Sequence, residues 1–159
     1  MKTTAKKGST ILVRDLMEPD VPTVKPESTL AEAYRYLHEN NVIGACVVTS
    51  DGLIAGYVSE GDFIRATIPS ATDIAIYESI ITEKELPEHM VRNLRFTKVE
   101  DIMTPNLVTI DHDEPILNAL ALLHVHNLKR LPVLDDGKLV GTISRATILK
   151  HLLIDRKLS

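Results

Sequence analysis

The chain of 159 residues has a single cysteine, no tryptophan, four tyrosines, two phenylalanines and no long apolar run. With only Cys46 available, no intramolecular disulfide can form, so stability must come from a packed core, and a reducing, cytoplasmic setting is expected. Cys46 lies in the apolar run Ala45-Cys46-Val47-Val48, where a buried, inert thiol is expected. No apolar stretch approaches the roughly 18–20 residues needed to cross a bilayer. The opening MKTTAKKGST is basic but is not followed by an apolar segment, so residues 1–10 read as a flexible basic tail and not as a signal peptide. Phosphate-binding glycine loops, dinucleotide fingerprints and nucleophile elbows are missing. His124 and His126 are two apart and face different sides of a helix, a poor metal pair. No catalytic residue, metal or obligatory cofactor is therefore expected, and the chain does not read as an enzyme. A net charge of −4 argues against a general nucleic-acid role and leaves only local basic patches.

What is present is a core's worth of apolar residues, 44% of the chain, arranged in a repeat. VRDLMEPDVPTV begins at Val13 and VEDIMTPNLVTI begins at Val99. Met17 and Met103, Pro19 and Pro105, and Thr23 and Thr109 are all 86 apart, as are Ala33 and Ala119, Leu37 and Leu123, His38 and His124, and Asn41 and Asn127. The spacing then falls to 85, aligning Gly52 with Gly137, Gly56 with Gly141 and Ser59 with Ser144. A single slip inside a turn is what a duplicated unit tolerates.

Each copy has the same grammar. A short apolar stretch, VPTV or LVTI, predicts a leading strand. Thr29 followed three residues later by Glu32 fits a helix start, and Asp113, Glu114 and Pro115 do the same in the second copy. Leu30, Ala33, Tyr34 and Leu37 recur at helical spacing. ILNALALLHVH is apolar on more than one face, predicting contact with two neighbours. His38 and His124, equivalent in the repeat, read as a packing or interface position. ACVV, SDG and LIAGYV predict a hairpin, as do LPVL, DDG and KLVGTI. A second helix follows in each copy, with Ser59 and Ser144 placed as N-caps. The unit is βαββα. Between the copies, Ile74, Tyr77, Ile80 and Ile81 and then LPEHMVRNL predict one or two helices rather than a plain linker.

These motifs resemble a tandem pair of cystathionine β-synthase (CBS) domains, a Bateman module, in their order and spacing across both copies. The resemblance implies a mixed α/β (α+β) fold. Two βαββα repeats, 11–68 and 98–155, pack about a pseudo-twofold axis with a helical insert at 69–97. It also implies quasi-equivalent clefts between the repeats, a homodimer, an adenosyl ligand and a regulated protein partner. The ligand class is AMP, ADP, ATP or S-adenosylmethionine.

The site residues are carried over from that resemblance. GYVSEGD holds Tyr57, Ser59 and Asp62, with Asp62 at the position that holds the ribose; a carboxylate can accept both hydroxyls of a diol. The second copy offers Thr109 and Ile110 beside the base or ribose, and Lys129 and Arg130 for phosphate. The opposite, weaker cleft would use Thr23, Val24, Ile43, Gly44, Ser144, Arg145 and Thr147. In it Thr147 stands where the acid is expected and Gly44 where Arg130 stands in the other. The expected function is a regulatory ligand-sensing module that transmits binding to dimer or partner geometry. The alternative is a ligand-free dimeric scaffold.

Overall fold

The computed structural model describes residues 10–67, 78, 81–82 and 84–156. The chain divides into two compact units: a central one, Pro22–Leu107, and a terminal one combining Met1–Val21 with Val108–Ser159. Residues 1–9 of the basic tail and Ile74, Tyr77 and Ile80 of the predicted insert helix lie outside the described residues; Ile81 is exposed.

The central unit runs β1 (Thr23–Val24), α2 (Leu30–Glu39), β2 (Gly44–Val48), β3 (Ile54–Ser59), α3 (Glu60–Thr67) and α4 (Glu88–Phe96). The terminal unit runs α1 (Val13–Leu16), β4 (Ile110–Asp111), α5 (Ile116–Val125), β5 (Arg130–Asp135), β6 (Lys138–Ser144) and α6 (Arg145–Lys150), continued by a π-helical stretch at His151–Asp155. In each, the two-residue leading strand pairs in parallel with the first hairpin strand, and the hairpin is antiparallel. Among the described residues no helix is long and apolar enough to cross a membrane.

The one-residue slip in the repeat has a local cause. In the first hairpin Gly52 takes φ 86°, its N–H donates to the Thr49 carbonyl at 2.9 Å, and Thr49 N–H donates to Leu53 O at 2.9 Å. That is a three-residue loop closed by a left-handed glycine. In the second, Asp136 (φ 52°) and Gly137 (φ 81°) form a two-residue loop between the paired Asp135 and Lys138, the geometry a right-twisted hairpin favours. The repeated asparagines also find a reason: Asn41 and Asn127 take φ 54° and 53° just past the ends of α2 and α5, a conformation asparagine tolerates well.

The core is built as the helical spacing requires. Leu30, Ala33 and Leu37 of α2 are buried against Val24, Ala45, Val47 and Val58. Ile116, Ala119 and Leu123 of α5 are buried against Ile110, Leu131, Val133 and Ile143. Thr29 accepts the Glu32 N–H at 3.2 Å, as the helix-start pattern predicts. The predicted restart after Pro87 is α4, whose Leu94 packs on the central core. The second apolar face of α5 has no cover among the described residues: Leu117, Ala121 and Val125 are exposed. On α2 the positions matching these in the repeat are the half-buried Ala31 and the exposed, charged Arg35 and Glu39.

The two units do not follow the two sequence repeats. The leading stretch of each copy packs on the hairpin and helix of the other. Val13 N–H donates to Glu114 O at 2.8 Å and Arg14 N–H to His112 O at 2.9 Å. Val99 N–H donates to Ser28 O at 2.8 Å and Glu100 N–H to Pro26 O at 2.9 Å. Val13 is therefore buried in the terminal core and Val99 in the central one. The repeat boundaries 11–68 and 98–155 describe the sequence, whereas the packing exchanges 13–21 for 99–107.

Cys46 is buried in β2, and burial pushes its thiol up to about 11. The thiol stays protonated at neutral pH. Labelling of the native chain by a thiol reagent at pH 8 is expected to run at least about tenfold slower than in denaturant. Equal rates would show an accessible thiol.

Candidate functional site

The turn from β3 into α3 holds the strongest chemistry. β3 ends at Ser59 and α3 opens at Glu60, so Asp62 falls in the first helical turn, with its side chain only 5% exposed. A buried carboxylate needs donors for its charge, and here it has three. Oδ2 accepts the Ser59 N–H at 2.9 Å and the Ser59 hydroxyl at 3.3 Å. Oδ1 is paired with the Arg65 guanidinium, one helical turn on. The helix start adds a favourable field for the negative charge.

The equivalent turn in the terminal unit runs its backbone-to-side-chain hydrogen bond the other way. Ser144 Oγ accepts the Thr147 N–H at 3.1 Å and donates to Thr147 Oγ1 at 3.0 Å. Ser144 is the predicted N-cap. Ser59 departs from that expectation because Asp62, which can only accept, turns the Ser59 hydroxyl toward itself as a donor. Exchanging Asp for Thr thus reverses the backbone-to-side-chain bond of the turn, while the serine hydroxyl donates to the residue three on in both. The first N–H of each of these helices is engaged as well: Glu60 donates to Ile43 O at 3.0 Å, and Arg145 to Lys129 O at 3.1 Å.

The other sequence candidates fall into distinct groups. Tyr57 is bonded through both backbone groups to Thr104, at 2.8 and 2.9 Å. A Cβ at Gly44 would overlap the Tyr57 ring and hydroxyl, so the absence of a side chain at Gly44 is what lets that ring lie across β2. Two candidates assigned to different clefts by sequence are thereby in contact. Val24 and Ile110 are buried core residues, so their side chains serve packing. Thr23 is exposed, with its N–H on Tyr36 Oη at 3.4 Å, and Ile43 is 70% exposed.

In the terminal unit Lys129, Arg130 and Arg145 form an exposed cationic group around the start of β5 and α6, with Thr109 half-buried on the approach to β4. Strand pairing sets Arg130 opposite Ser144, and Lys129 carries the Arg145 N–H. Arg130 is tied to Glu18 by an ion pair at 3.4 Å, an exposed contact worth at most about 1 kcal/mol and readily given up to a stronger anion. Glu18 left no signal in the sequence, being 112 residues away. Arg65 could have been found: it lies three residues beyond Asp62, the spacing at which helical side chains meet.

A recess of about 130 Å3 in the central unit is lined by Tyr34, Leu37, His38, Asn41, Val42, Ile43 and Glu60. It is smaller than the roughly 300 Å3 at which small-molecule sites begin and is not lined by Asp62.

Fold and turn together define a tandem α+β repeat in which one copy bears a buried acid and the other a basic cluster. The chain belongs to the CBS domain family, which it matches at 13–68 and again at 99–154. It is 31% identical to the uncharacterized protein MJ1426 of Methanocaldococcus jannaschii, over 92% of this chain and 94% of that protein. Among solved structures, CBSX2 from Arabidopsis thaliana superposes with a TM-score of 0.69 at 26% identity, covering 94% of this chain and all of that one. CBSX2 in complex with AMP gives a TM-score of 0.66 at 28% identity, covering 91% and 98%.

Proposed function

We propose that this chain is a regulatory module that binds an adenosine nucleotide or related adenosyl ligand and passes the binding event to a partner. The observation that carries this reading is Asp62, a buried carboxylate whose donors are gathered by the first turn of α3. A similar chain, CBSX2, has been solved in complex with AMP. A ribose diol offers two adjacent donors to such a group, and hydrogen bonds to a charged acceptor contribute about 1.5–3 kcal/mol. Ser59 and Tyr57 frame the same turn. In the terminal unit Lys129, Arg130 and Arg145 suit a phosphate, Arg as a bidentate fork and Lys as a point charge. The turn at Ser144 and Thr147 has no carboxylate and is proposed to bind such a ligand weakly or not at all.

Self-association as a homodimer is supported by the uncovered apolar residues of the terminal unit, Leu117 and Val125 of α5 with Leu149, Leu153 and Ile154 near its C-terminal end. Their large apolar surface gains by meeting an identical face, whereas the charged outer face of α2 offers no such gain.

The test is calorimetric titration of the full chain with AMP, ADP, ATP and S-adenosylmethionine, repeated on Asp62→Ala. A ligand of the wild type should lose at least about tenfold in affinity, equivalent to about 1.4 kcal/mol. Unchanged affinity would remove the ribose role of Asp62. Silence from all four ligands in the wild type would favour the ligand-free scaffold.

A further inference from the structure

The carboxylate that the proposed function gives to a ribose is already engaged. Asp62 Oδ2 holds two donors from Ser59, and Oδ1 holds the Arg65 guanidinium. A carboxylate has about four acceptor positions, so a diol approaching both oxygens meets an occupied group. The Ser59 N–H is part of the backbone where β3 passes into α3 and cannot leave. Arg65 can: its side chain is 71% exposed while Asp62 is 5% exposed. The Ser59 hydroxyl can rotate away as well, but it is neutral, so the movable donor that carries charge is the cation.

A guanidinium withdrawn from a buried carboxylate needs another anion, and Arg binds phosphate oxygens in the same forked geometry as a carboxylate. A 5′-phosphate travels with the ribose that displaces Arg65 and offers it a new partner at the moment of displacement. An uncharged adenosyl ligand brings the diol and no replacement. We propose that Arg65 is a specificity-determining residue, an internal competitor for Asp62 that favours 5′-phosphorylated over uncharged adenosyl ligands. This rests on the reading of Asp62 as the ribose ligand and adds to it a residue outside GYVSEGD.

The experiment titrates the full chain, Arg65→Ala, Arg65→Lys and Asp62→Ala with AMP and with adenosine, after thermal melting shows each variant folded. In Arg65→Ala adenosine should tighten about threefold and AMP weaken about threefold or more, so that the AMP-to-adenosine preference falls about tenfold. Arg65→Lys, a point charge without the fork, should lie between. A fall in preference of less than threefold, or parallel weakening of both ligands, overturns the proposal, because a merely structural Arg65 would lower both alike. If Asp62→Ala loses both ligands while Arg65→Ala keeps the wild-type preference, the Arg65 inference fails and the ribose reading stands. If Asp62→Ala binds both as well as the wild type, the ribose reading fails and takes the inference with it. Adenosine binding that emerges only in Arg65→Ala supports the proposal. No binding by any variant overturns both.

Discussion

Substituting valine for Gly141 is expected to lower stability by about 3 kcal/mol, and Gly56→Val by a similar amount. The reason is the exchanged leading segment. Glu18 and Thr142 bond to each other in both directions, at 2.8 and 2.9 Å, so the segment lies directly across β6. A Cβ at Gly141 would sit 2.8 Å from the Glu18 carbonyl oxygen and 2.9 Å from Met17 Sδ. In the other unit a Cβ at Gly56 would sit 2.6 Å from Thr104 O and 2.9 Å from Met103 Sδ. The methionine thioether can swing away, but a backbone carbonyl held by two strand-like bonds cannot move without breaking them. The added branches of valine enlarge the overlap. Thermal or denaturant unfolding checks this, with an expected fall in Tm of roughly 6–12 °C for a chain of this size. A loss below about 1 kcal/mol would show that the segment lifts off the strand at little cost.

Truncating Val13 to alanine is expected to cost about 2 kcal/mol, combining lost apolar burial with the cavity left behind. The location of the damage is more telling than its size. By sequence Val13 belongs to the first repeat, yet it is fully buried among Ile110, Ile116, Leu131, Ile143 and Ile148 of the second. Hydrogen exchange should therefore show lost protection in 108–156, with 22–67 much less affected. Val99→Ala should reverse the pattern, since Val99 is buried with Val24, Leu37, Val47 and Val58. Protection lost mainly in 22–67 on truncating Val13 would contradict the exchange.

Most of the local structure was legible from the amino-acid order, because local rules decide it. Leu30, Ala33 and Leu37 recur at the helical period and are buried. Thr29 and Ser144 have side chains that satisfy helix N–H groups, and they do. The SDG and DDG loops carry the glycines their left-handed positions require. Even the shift from 86 to 85 is a difference in loop length. The candidate turn was legible as an acid on a helix start, and its repeat partner as a threonine.

Legibility failed where one local pattern permits more than one outcome in space. VRDLM and VEDIM are nearly interchangeable as sequences. Each buries one valine, offers the same two N–H groups and crosses one glycine, so nothing in either stretch says which hairpin it crosses. Ser59 and Ser144 look alike until the side chain three residues on sets whether the serine oxygen also accepts a helix N–H. The second apolar face of α5 predicted a partner that the described chain does not supply.

The sequence by itself determined the duplication, the βαββα order and the position of a carboxylate at the first α3 turn, all of which depend on neighbours within a few residues. Only the tertiary structure decided that 13–21 joins the second copy and that Arg130 meets Glu18. Those contacts join groups about a hundred residues apart in sequence, which no local pattern can pair, and folding alone brings them together.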